Sequence, residues 1–130
     1  MVWSQQMINF VGYVLIALGI GHTVTGIILF RPALVALFRD GFANAVHPHR
    51  DRRLAFWFLM FSVLLLLLGQ VTLYAAATDN MYLLKVIGWY VLGIGAVGAT
   101  AMPKSPFWIA LIVSPILLWS GYFGASGVIW

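Results

Sequence analysis

LAFWFLMFSVLLLLLGQVTLYAAA, residues 54–77, decides the fold of this chain. It holds no charged side chain. Wound as an α-helix it measures about 36 Å, enough to cross the ~30 Å hydrocarbon core of a bilayer. Similar stretches lie on both sides, at Ile8 to Phe30, Met81 to Ala101 and Phe107 to Gly124. Hydrophobic residues make up 63% of the 130, charged residues 8%, and the mean hydropathy is +1.01. A soluble domain of this size cannot cover that much apolar surface. The chain is therefore expected to be all-α, a single integral membrane domain over residues 1–130. Four spans at about 8–30, 54–77, 81–101 and 107–124 would form a four-helix bundle, with a short interfacial helix between spans 1 and 2.

Composition removes several function classes. With no cysteine, disulfides, thiol catalysis, iron–sulfur clusters and Cys-based zinc sites are excluded. The net charge of +4 points to topology rather than to nucleic acid, because five of the seven Lys/Arg residues lie between spans 1 and 2. The first span follows no basic segment and precedes no Ala-x-Ala-type site, so it is expected to be a retained helix. Gly93-Ile94-Gly95-Ala96-Val97-Gly98 matches the dinucleotide pattern but lies inside a span, without the strand and turn that give the pattern its function. Proton-coupled exporters of comparable size use an intramembrane carboxylate. Here there is no glutamate, and Asp40, Asp51 and Asp79 all fall in loops, which weakens a transport function.

Arg31, Arg39, Arg50, Arg52 and Arg53 occupy the first loop and Lys104 the third. The positive-inside bias then places both termini on the non-cytoplasmic side of a bacterial inner membrane. Lys85 sits just inside span 3 and can snorkel outward. Trp3, Tyr74, Tyr82 and Trp130 would form the outer aromatic belt, and Phe56, Trp57 and Trp108 the inner one. Within the first loop, Pro32 to Asp40 has the pattern of an interfacial helix, with Gly41 to cap its end. Leu34, Leu37, Phe38 and Phe42 can dip into the headgroup boundary.

Small residues form stripes along the spans: Gly12, Gly19, Thr23 and Gly26; Ala55, Ser62, Gly69 and Ala76; Gly88, Gly95 and Ala99; Ala110 with Ser114, and Gly121 with Ala125. Such stripes let helices approach closely where lipid removes the hydrophobic drive for association. They exceed what one bundle core needs, so a homo-oligomer is expected, most simply a dimer through span 3. Leu-Gly-Ile-Gly occurs at residues 18–21 and again at 92–95, which could mark a repeat.

His22 is the one ionisable residue deep in a span. Such groups are costly in lipid and often functional. His22, Ser62 and Ser114 each lie about eight residues from the cytoplasmic end of their spans, one polar layer ~12 Å deep. His22 is expected to be neutral and to face the bundle interior. It could serve as acid/base or ligand anchor, with Ser62, and Asp40 or His47, in support. Alternatively it is a neutral fastener, bonded to Ser62, Ser114 or a carbonyl such as that of Leu111, which Pro115 frees. In the outer half, Tyr13, Gln70, Trp89 and Trp119 gather with Tyr74 and Lys85. They could orient a ligand, with Trp57 and Ser114 as further contacts, or simply extend the aromatic belt. His47-Pro48-His49-Arg50-Asp51, if extended, would project two imidazoles and a carboxylate to one side. A cytoplasmic turn that caps span 2 and contacts anionic lipid through Arg50, Arg52 and Arg53 is the preferred alternative, and no metal site is assigned.

Gly19-Ile20-Gly21-His22, Phe30, Arg39-Asp40-Gly41, His47 to Arg52, Ala55-Phe56-Trp57-Phe58 and Leu66 to Gln70 stand in an order that resembles an uncharacterised family of small bacterial four-span membrane proteins. That resemblance implies a membrane location and carries no activity. The layout is also similar to small four-helix membrane proteins, sterol-isomerase-like and quinone-linked ones among them, at the level of fold alone. Two functions stand open: binding, and conversion if the site is catalytic, of a lipophilic small molecule near His22; or a non-catalytic subunit assembled through glycine-rich faces. Residue types alone leave the cofactor unknown, and the lipid bilayer is the one partner expected in every case.

Overall fold

A computed structural model describes residues 2–124, with side chains from residue 5 onward. Trp130, Ala125 and the Trp3 side chain lie outside the described residues. Those described form five α-helices and no strand: α1 (Val2–Leu29), α2 (Arg31–Arg39), α3 (Arg50–Ala77), α4 (Met81–Ala101) and α5 (Phe107–Phe123). α1, α3 and α4 are long and apolar enough to cross a membrane, and α5 is a shorter apolar helix of 17 residues. α3 begins four residues before the apolar run does. Asp51 stands in its first turn, so the segment through Asp51 is not extended as the metal-set alternative requires.

The chain divides into two compact units, one of Leu15–Leu67 and one of Met1–Val14 with Leu68–Trp130. In the first, the later part of α1 lies antiparallel to the early part of α3. A Cβ built on Gly19 would sit 3.0 Å from the Leu66 side chain, and one on Gly26 would sit 2.8 Å from Leu59 and Phe58. A step of seven residues along α1 is thus matched by seven in reverse along α3. α2 rests on this unit through Ala33 and Leu37, both buried. Its end is a Schellman turn. Gly41 N–H donates to Phe38 O (3.2 Å) and Phe42 N–H to Leu37 O (3.1 Å), with Gly41 at φ 87°.

The second unit repeats the device. Gly12 meets Leu73, Gly88 meets Leu118, and Gly95 meets Ala110 and Leu111, each within about 3 Å of an added Cβ. Gly98 takes the Phe107 ring, and Gly121 takes the Lys85 stem at 2.7 Å. Gly88 and Gly95 are therefore packed on α5 of the same chain, and Ala99 is buried as well. The stripe expected to face another protomer is used within this one. The glycines of the dinucleotide-like pattern serve the same purpose at 95 and 98, while Gly93 has no atom within 4 Å of its added Cβ. The two Leu-Gly-Ile-Gly copies are used in opposite phase: Gly19 is packed and Gly21 open, but Gly93 is open and Gly95 packed.

The polar turn after α3 closes one helix and opens the next. Asp79 N–H donates to Ala76 O (3.3 Å) and Asn80 N–H to Ala75 O (2.9 Å), with Asp79 at φ 49°. The Asn80 side chain then accepts from Leu83 N–H at 3.0 Å, the N-cap of α4.

Candidate functional site

The site lies in the first unit, where α1 and α3 each bring one polar residue to their seam. His22 comes one turn after Gly19, and its Nδ1 is 2.9 Å from Ser62 Oγ. Ser62 belongs to the small-residue stripe of α3 and is almost fully buried. A larger residue there would fill the space of the imidazole. The His22 ring lies flat on Phe58, with centroids 3.8 Å apart and planes at 13°. Phe61 is tilted beside it at 5.4 Å, and Phe30 packs on Phe58 at 5.4 Å. Phe58 lies four residues before Ser62, so helical geometry stacks the two on one face.

The hydroxyl has one proton to place. Ser62 Oγ lies 3.3 Å from Phe58 O and can donate to it. It then accepts from Nδ1–H, and Nε2 carries the lone pair. If Ser62 instead donates to Nδ1, then Nε2–H is a donor. In either arrangement Nε2 is the ring nitrogen outside this bond, on a half-buried residue. The seam can therefore accept or donate one hydrogen bond, or move one proton, beside three aromatic rings.

The other expected residues are not at this seam. Asp40 accepts from Arg52 Nη2 at 2.6 Å, and Arg52 Nη1 donates to Ala45 O at 2.9 Å. That hydrogen bond holds the Asp40 carboxyl below its ordinary value of 3.8, with the nearby charges of Arg52, Arg39 and His49 acting in the same direction. Arg52 is 6% exposed, so it clamps the loop and is withdrawn from lipid contact. His47 is exposed, and its carbonyl accepts from Arg53 Nη1. Among the described residues no three His, Asp or Glu side chains gather as a metal set, the trio of His47, His49 and Asp51 included.

Ser114 is fully buried in the other unit and donates to Leu111 O at 3.4 Å, the carbonyl that Pro115 leaves without its helical donor. It repairs its own helix. Tyr13, Gln70, Tyr74, Trp57 and Trp119 have exposed side chains. In the outer cluster, Trp89 Nε1 donates to Tyr122 OH at 3.3 Å and Lys85 Nζ lies 5.1 Å from the Tyr122 ring centre. Tyr122 was not singled out by sequence, nor were Arg52 as a clamp, Phe58 and Phe61 at the seam, or Gln5, whose Nε2 donates to Ala76 O at 3.1 Å. Counting four residues back from Ser62 would have found Phe58; the rest have no local signal.

No curated protein matches this chain, and no solved structure does. A family model matches residues 6–124, which takes in all of the seam and nearly every described residue. The chain belongs to DUF6463, a family of unknown function.

Proposed function

We propose that this chain is a four-span bundle of a bacterial inner membrane, with both termini outside the cytoplasm, that holds a lipophilic small molecule by a hydrogen bond to His22 Nε2. This function rests on one observation: the 2.9 Å pair of His22 Nδ1 and Ser62 Oγ, which orients the imidazole while leaving Nε2 outside the bond. Aromatic faces at Phe58 and Phe61 suit a flat or unsaturated ligand. The arginines of the first loop support the orientation. α5, at ~26 Å, spans the hydrocarbon core only where the bilayer thins slightly.

Native mass spectrometry of protein extracted in mild detergent tests the binding. Wild type should carry a lipophilic adduct. His22→Phe keeps a ring on Phe58 but removes both nitrogens, and should lose the adduct with helicity intact. A wild type without adduct ends the proposal.

A non-catalytic, self-assembling subunit is the second reading. Gly21 and Gly93 favour it, since each faces open space. A dimer would then use these glycines instead of Gly88 and Gly95, and Gly93→Leu should disperse it without unfolding the chain.

A further inference from the structure

We propose that α2 and the loop after it form a docking surface for anionic phospholipid, with Phe38 and Phe42 inserted among the acyl chains and Arg31, Arg39 and Arg50 on the headgroup phosphates. This rests on the membrane reading above and adds a lipid preference to it.

α2 is apolar on two faces. Ala33 and Leu37 are covered by the protein, while Val35 and Phe38 on the opposite side are 59% and 69% exposed. Phe42, carried past the Schellman turn, is 50% exposed, and its ring stacks on Phe38 with centroids 6.0 Å apart. The two rings make one apolar wedge in the segment between the end of α1 and the start of α3.

Residues 31–53 contain five arginines and two aspartates, a net charge of +3. The structure sorts those arginines. Arg52 is buried on Asp40, and Arg53 is held by the His47 carbonyl. Arg31, Arg39 and Arg50 remain exposed. Arg31 opens α2 and Arg50 opens α3. A cation at a helix N-terminus opposes the helix dipole, so neither arginine is there for its own helix. An anion at the same place satisfies both the guanidinium and the free backbone N–H groups. Phosphodiester headgroups bring that charge at the depth where the wedge enters hydrocarbon. The Arg52–Asp40 pair contributes by fixing the loop that carries Phe42.

The absence of cysteine lets one spin label report on the surface. The full chain is reconstituted into mixed phosphatidylglycerol–phosphatidylcholine bilayers. Spin-labelled phosphatidylglycerol should be immobilised by the protein roughly fivefold better than spin-labelled phosphatidylcholine. High salt should abolish that preference, and so should the variant R31Q/R39Q/R50Q, whose helicity and melting should match wild type. A label at Phe38→Cys should be reached by oxygen dissolved in the bilayer and protected from an aqueous nickel chelate. A protein that incorporates without lipid preference overturns this proposal alone. So does a label open to the nickel chelate, or one shielded from both reagents, which would mean that a second copy covers the surface. A chain that does not incorporate at all overturns the membrane reading as well.

Discussion

α1 on α3 in the first unit and α4 on α5 in the second are built by one device and differ in one insertion. Both lay glycines at seven-residue intervals against large side chains on an antiparallel partner: Gly19 and Gly26 against Leu66 and Leu59, Gly88 and Gly95 against Leu118 and Leu111. In α4–α5, Ser114 is turned to its own helix, at Leu111 O, and Lys85 to the Tyr122 ring. Each pair has a side-chain hydrogen bond between its helices, but that of α4–α5, Trp89 to Tyr122, is exposed, whereas that of α1–α3, His22 with Ser62, ends on a buried serine. The glycine spacing is thus a general means of close approach. The polar pair is an addition to it, and chemistry is to be sought at the addition.

The largest effects should follow glycine phase. Gly19→Leu and Gly95→Leu should each lose about 3 kcal/mol, because the neighbour is backbone as well as side chain. Gly21→Leu and Gly93→Leu should change monomer stability by less than about 1 kcal/mol, in the direction of a gain through helix propensity. Thermal melts followed by near-UV circular dichroism would compare the four. Equal losses at Gly93 and Gly95 would break the shared device.

The loop that joins α2 to α3 has no counterpart in the second pair, and its clamp ranks next. Arg52→Met should cost about 2 kcal/mol, since the Ala45 carbonyl loses its donor in a buried setting. Arg31→Met, on an exposed residue, should cost less than about 0.5 kcal/mol. Acid should act on the same clamp. Asp40 has its folded value depressed, so its stabilisation is complete above the ordinary carboxylate value and is lost as pH falls through the lower folded one. Protease susceptibility at residues 40–49 should therefore rise only below about pH 4, the ordinary carboxylate range. In Asp40→Asn it should be high at every pH.

The insertion itself should be modest energetically. A double-mutant cycle of His22→Ala with Ser62→Ala should give a coupling of about 1 kcal/mol, the scale of an interhelical bond in lipid. Thr23→Ala, next in sequence but bonded to Gly19 O on its own helix, should show no coupling to Ser62. A coupling near zero for the first pair would leave α1–α3 held by its glycine packing alone. The smallest effect should be a gain: Asp79→Gly should add about 0.5 kcal/mol by relieving the positive φ of the turn.

Amino-acid sequence alone determined the helical, membrane-compatible character of this chain, the polar turn at residues 77–80 and the cap at Gly41. These follow from apolar run length and from residues with few conformational choices, and both are local. It also singled out His22 and Ser62, because polar groups in long apolar runs are rare. Tertiary structure decided which small residues meet which large ones. The same Leu-Gly-Ile-Gly is packed through its first glycine in α1 and its second in α4, because the partner helix arrives from a different side. It decided that Arg52 is a buried clamp while Arg50, two residues earlier, is exposed, since a helix turns neighbouring side chains by about 100° each. It also gave His22 its partner. A hydrogen bond across forty residues depends on the register of two helices, and no short window of sequence contains that register.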